Sequence, residues 1–91
     1  MGSPTQASNN VAILMEDVSD VTEVTKIVVT GKMSDITYGN SCGTFVKMQR
    51  MIVPGVGPVE GIADQEHQPG LREAVFVQDC GDGYFLFQIS E

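Results

Sequence analysis

The chain has 91 residues, short for two independent cores, and 42% of them are hydrophobic against 19% charged, which is apolar enough for one core and too apolar for a disordered tail. Twelve acidic residues face five basic ones, and the resulting charge of −7 opposes general binding to nucleic acid or to anionic membrane surfaces. No apolar run approaches the roughly 20 residues of a membrane-spanning helix, and residues 1–10 lack the basic start and apolar stretch of a secretory signal, so a cytoplasmic location is expected.

Residues 1–10 are mostly small and polar and are expected to be disordered, leaving 11–91 as a single β-rich domain. A domain of this size buries only about 60–65% of its unfolded surface, so a disulfide or a partner subunit would supplement a thin core. Behind Asn10, a good helix cap, Val11, Leu14, Met15 and Val18 recur at helical spacing. Residues 12–15 (Ala-Ile-Leu-Met) are equally an apolar run of strand length, and periodicity alone does not separate the two readings. The connection that follows carries Glu16, Asp17, Asp20 and Glu23 and no base, the pattern of a solvated acidic face.

Residues 24–30 are almost wholly β-branched and read as a strand that Gly31 punctuates. Residues 33–42 hold Ser34, Asp35, Gly39, Asn40 and Ser41, which is turn chemistry and predicts a loop. In 44–53 a strand would put Val46, Met48, Arg50 and Ile52 on one face and Phe45, Lys47, Gln49, Met51 and Val53 on the other. A helix with Phe45, Met48, Gln49 and Ile52 as its stripe is the alternative. Pro54-Gly55 then suits the centre of a type II turn, with glycine supplying the positive φ, so 45–53 and 59–63 should form a hairpin. The Val-Pro-Gly-Val-Gly unit here is the one elastin repeats, but a single copy makes a turn and not an elastomer.

Residues 65–70 are polar and end in Pro-Gly, which predicts an exposed connection. Residues 71–78 and 84–89, rich in Val, Phe and Tyr around a Gly-Asp-Gly turn, are the clearest hairpin, apolar on most of both faces and so expected to lie centrally. The composite is a mainly antiparallel β domain of five to six strands, as a small barrel, a sandwich or a sheet, with one short N-terminal helix (α+β) as the alternative.

The chemistry on offer is sparse. Cys42 in a Gly-flanked loop and His67, the only imidazole, are the residues a nucleophilic pair would need, with no third residue to orient them. Cys42 and Cys80 read better as structural thiols, free or joined to each other, since no Cys/His zinc spacing exists. The loop at 79–83 lacks the closing Glu of a calcium site, and neither a metal nor a cofactor is expected.

The favoured function is a non-enzymatic binding or assembly module, a homo-oligomer or the companion of a protein partner. Its interface would be an apolar and partly basic face with Lys47, Met48, Arg50 and Met51. The alternative is a small-ligand-binding domain whose pocket is lined by Phe45, Phe76, Tyr84, Phe85 and Phe87.

Overall fold

A computed structural model describes residues 9–90. Six strands account for most of them: β1 (Asn10–Leu14), β2 (Lys26–Asn40), β3 (Gly43–Val53), β4 (Gly57–Ala63), β5 (Gly70–Gly81) and β6 (Tyr84–Ile89). Every pairing is antiparallel, and the order β1-β4-β3-β2-β5-β6 closes on itself as a barrel. The expected disorder of 1–10 falls mostly outside the described residues; Asn10 already pairs with Gln88.

Local turn chemistry makes the hairpins. Gly55 has φ 86°, and the Val56 amide donates to the Val53 carbonyl at 2.9 Å, which closes the type II turn between β3 and β4. Asp82 and Gly83 both have positive φ, 58° and 85°, the conformation a two-residue hairpin turn between β5 and β6 requires. Between β2 and β3, Asn40 Oδ1 accepts from the Cys42 amide at 2.8 Å and tightens a turn of only two residues.

The loop expected over 33–42 is therefore a correction: β2 runs on to Asn40, its far half paired with β3. Two register irregularities, between Val29 and Met33 and between Asp35 and Tyr38, absorb the turn-type residues and bend the strand. The N-terminal helix alternative is likewise replaced by β1, and the only helical turn between strands is the 3₁₀ turn Val21–Glu23, capped by Asp20 accepting from the Thr22 amide.

The strand faces sort the core. Val11 and Ile13 point into the barrel with Ile27, Val29, Met51, Val53 and Phe87, while Ala12, on the opposite face of β1, belongs to a second cluster with Phe45, Ile62, Cys80, Tyr84 and Leu86. Val11, Ala12 and Ile13 are all 0% exposed, so β1 is a wall between two packed layers. The outer layer exists because the end of the β2–β3 hairpin, an arm carrying Tyr38, Cys42 and Phe45, packs across β1, β4 and β6. At the arm's end Cys42 is joined to Cys80 by a disulfide.

One buried polar pair closes the barrel. Gln49 takes an inward position between Met51 and Lys47, and its side-chain amide donates to the His67 carbonyl at 2.6 Å while accepting from the His67 amide at 2.9 Å. The side chain thus does what a neighbouring strand would do for the 64–69 connection. His67 is buried as a consequence, against the expectation of a wholly exposed connection, although Gln65, Glu66 and Gln68 around it are exposed.

Candidate functional site

The surface of the β2–β3 hairpin is the basic region of the molecule. Lys32, Met33, Ser34, Met48 and Arg50 line a shallow groove of about 180 Å³. Its floor is set by the pairing of Ser34 with Met48, and Thr30 Oγ1 donates to the Arg50 carbonyl at 2.6 Å beside it. Met33, Ile36 and Val46 remain 42%, 41% and 44% exposed along the same hairpin. Lys47 Nζ meets Asp35 at 2.9 Å, the single ion pair among the described residues, which leaves the charges of Lys32 and Arg50 to solvent.

The connection from β1 to β2 forms an acidic region at the start of β2. There Val18, Val24, Val53, Pro54 and Val56, with Asp20 and Glu23 at the rim, line a cleft of about 330 Å³ between the 3₁₀ turn and the β3–β4 turn. A neighbouring cleft of about 250 Å³ shares Val18 and Val56 and adds Glu16, Asp17 and Glu60. Lys26 is the only base that lines either.

A third surface is apolar without a distinctive charge. Val28 pairs with Ile52 on one side and Leu71 on the other, and Val75 and Val77 continue along β5. Leu71 and Val75 are 63% and 64% exposed. The β5–β6 hairpin lies centrally as expected, each strand paired on both sides, yet the outer face of β5 is exposed. Alternation puts Leu71, Val75 and Val77 on the side away from the barrel interior, where no element among the described residues packs.

The residues singled out from sequence separate accordingly. The Cys42 sulfur is bonded to Cys80, so it is no thiol nucleophile, and Gln78 Nε2 lies 3.4 Å from it. His67 is held at its backbone by Gln49. Met51 leaves the candidate interface, being 0% exposed inside the barrel, because it alternates with Arg50 and Ile52 on the strand. Lys47, Met48 and Arg50 stay at the surface or partly so.

The five aromatic rings do not surround one pocket. Phe76 is tilted at 48° to Phe85 at 6.4 Å and meets Phe87 edge-on at 5.9 Å, all with the barrel core, whereas Phe45 and Tyr84 lie in the outer layer. Lys32 and Ile36 were not singled out from sequence, Ile36 because 33–42 reads as a loop; with β2 extended, Met33 pairs with Gln49 and Ser34 with Met48, and Lys32 and Met33 line one groove with Met48 and Arg50.

Two tyrosines in the outer layer have perturbed acidity. Tyr84 donates to Glu60 Oε1 at 3.2 Å and its pKa is pushed up to about 12, chiefly by burial and then by the Glu60 carboxylate. Tyr38, 5.1 Å from the Tyr84 ring, donates to Asp82 at 3.2 Å, and its pKa is raised by desolvation first and by Asp82 second. Both shifts favour the neutral phenol at ordinary pH, so these are structural hydrogen bonds and not poised acids or bases. Among the described residues no group of three or more His, Cys, Asp or Glu side chains is arranged to hold a metal ion. No helix among them is long and apolar enough to cross a membrane.

Fold and surfaces define a small six-stranded antiparallel barrel with one basic and one acidic face. No protein-family model matches the chain, and comparison with curated proteins and with solved structures returns no match.

Proposed function

We propose that this chain is a non-enzymatic binding or assembly module that self-associates through the apolar and partly basic face of its β2–β3 hairpin. The observation carrying the reading is one groove that joins exposed Met33 to the unpaired charges of Lys32 and Arg50, with exposed Ile36 and Val46 further along the same hairpin. Apolar side chains grouped at the surface and rimmed by polar ones mark protein contact sites, and methionine adapts to an irregular partner. Two free cations on a chain of net charge −7 do not make a nucleic-acid face, so the partner is protein. The Cys42–Cys80 bridge favours oxidising surroundings over the cytoplasmic location expected from sequence, because such bonds persist where glutathione does not reduce them.

Sedimentation equilibrium over a wide concentration range tests the proposal. A mass rising above 9.8 kDa with concentration supports it, together with at least tenfold weaker association in the exposed-face variant Ile36→Ser/Val46→Ser. A strictly monomeric particle at the highest concentrations would end it.

A further inference from the structure

The basic groove and the acidic clefts are separate surfaces of one barrel. On β2, Lys26 lies at the acidic cleft, and Lys32 and Ser34 of the groove stand six and eight residues further on; on β3, Arg50 of the groove and Val53 of the cleft are three residues apart. At about 3.3 Å per residue those separations are roughly 20–26 Å and 10 Å along the strands. Both surfaces are fixed on hydrogen-bonded strands, so one copy cannot turn its own groove onto its own cleft, but two copies can satisfy one pair.

The match goes beyond sign. The groove presents Met33 and Met48 between two cations; the clefts present valine side chains beneath carboxylates. Methionines seated on the valines would bring Lys32 and Arg50 to the rim where Glu16, Asp17 and Glu23 are exposed. From this complementarity we infer that copies of the chain associate head to tail, the Lys32/Arg50 groove of one docking on the acidic, valine-floored clefts of the next. The inference rests on the assembly reading above and gives it a direction. The two faces differ, so the contact is heterologous: it leaves one free groove and one free cleft at each addition, and growth stops only if a ring closes.

The test uses charge reversal on exposed side chains of the oxidised full chain. Lys32→Glu/Arg50→Glu makes both faces acidic, and Glu16→Lys/Asp17→Lys/Glu23→Lys, which leaves only Asp20 and Glu60 as acids lining the clefts, makes the clefts basic while leaving the groove basic. Each variant alone should be monomeric under conditions where the parent associates, and an equimolar mixture should associate again because every contact between unlike variants is of opposite charge. The restored mixture also proves that both variants are folded. In the parent, species beyond a dimer should form at about 0.01 M ionic strength, where charges act over about 30 Å, and association should weaken at least tenfold at about 1 M, where they act over about 3 Å.

Three results would overturn the inference: a closed dimer insensitive to salt, charge-reversed variants that associate like the parent, or variants that stay monomeric when mixed. If association of the parent persists in the first two, the assembly reading survives through another face, of which the Ile52, Leu71 and Val75 surface is the first to mutate. A parent that never associates removes both.

Discussion

The two packed layers on either side of β1 are built by different means. Inside the barrel, side chains from all six strands converge on Phe87, Met51 and Ile27, and nothing covalent is needed, because each strand is held by neighbours on two sides. Outside, a two-stranded arm covers Ala12, Ile62 and Leu86 with Tyr38, Phe45, Met48 and the Cys42–Cys80 pair. An isolated hairpin is marginal in water, so the arm depends on its disulfide, on Ser41 donating to the Cys80 carbonyl and on the Tyr38–Asp82 hydrogen bond. Closure makes the interior self-sufficient, while the outer layer is tied down at its tip.

The largest effect should come from the interior. Phe87→Ala removes a fully buried ring that meets Phe76 edge-on, and chemical denaturation should show a loss of about 3–5 kcal/mol with one cooperative transition, since both layers lean on β6. A variant that loses only the arm would break the distinction between the layers.

Next is the tie itself. Cys42 and Cys80 are 38 residues apart, and by loop entropy their bridge contributes about 4 kcal/mol, nearer 2 kcal/mol if the reduced chain keeps structure. Cys42→Ser/Cys80→Ser should lower the denaturation midpoint accordingly. Hydrogen exchange on the same variant sharpens the comparison: the amides of 36–46 should lose protection first, while those of β1 and β6 in their shared ladder keep theirs. Equal loss in both regions would mean that the arm and barrel form one unit.

The smallest effect is a pH dependence confined to the outer layer. A phenol whose pKa rises from 10.0 in the unfolded chain to about 12 in the fold stabilises the protein below pH 10 and ceases to do so as pH climbs through 12. Titration of the tyrosinate absorbance should give Tyr84 a midpoint near 12, and Glu60→Gln, which keeps the hydrogen bond but removes the charge, should lower it. A midpoint at the ordinary value would show that the layer is open to solvent.

Much of this molecule is legible because its turns are local. Pro54-Gly55 and Asp82-Gly83 reverse the chain through backbone conformations that glycine adopts freely, and the strands on either side follow. The two faces of 44–53 were also readable from alternation; which of them turns inward was not, and that face carries Gln49, a buried polar residue whose partner at His67 no periodicity announces. The candidate site was half readable: Lys47, Met48 and Arg50 show as a basic apolar segment, while Ile36 hides in what looks like a loop and Lys32 stands beyond the break at Gly31. Gly31, Ser34 and Asp35 disfavour a strand on their own, and only pairing with β3, bent at two irregularities, keeps them extended.

By itself, then, the order of residues determined most of the strand-forming segments, the hairpin turns, the two alternating faces of β3 and the separation of acidic from basic charge, all set by contacts within a few positions. Tertiary structure alone decided that β1 slips between β4 and β6 to close the barrel, that the arm folds over its outside and joins Cys42 to Cys80, and which face of β3 turns inward. Those outcomes depend on which surfaces remain to be buried once the local pieces exist, and that is a property of the assembled sheet.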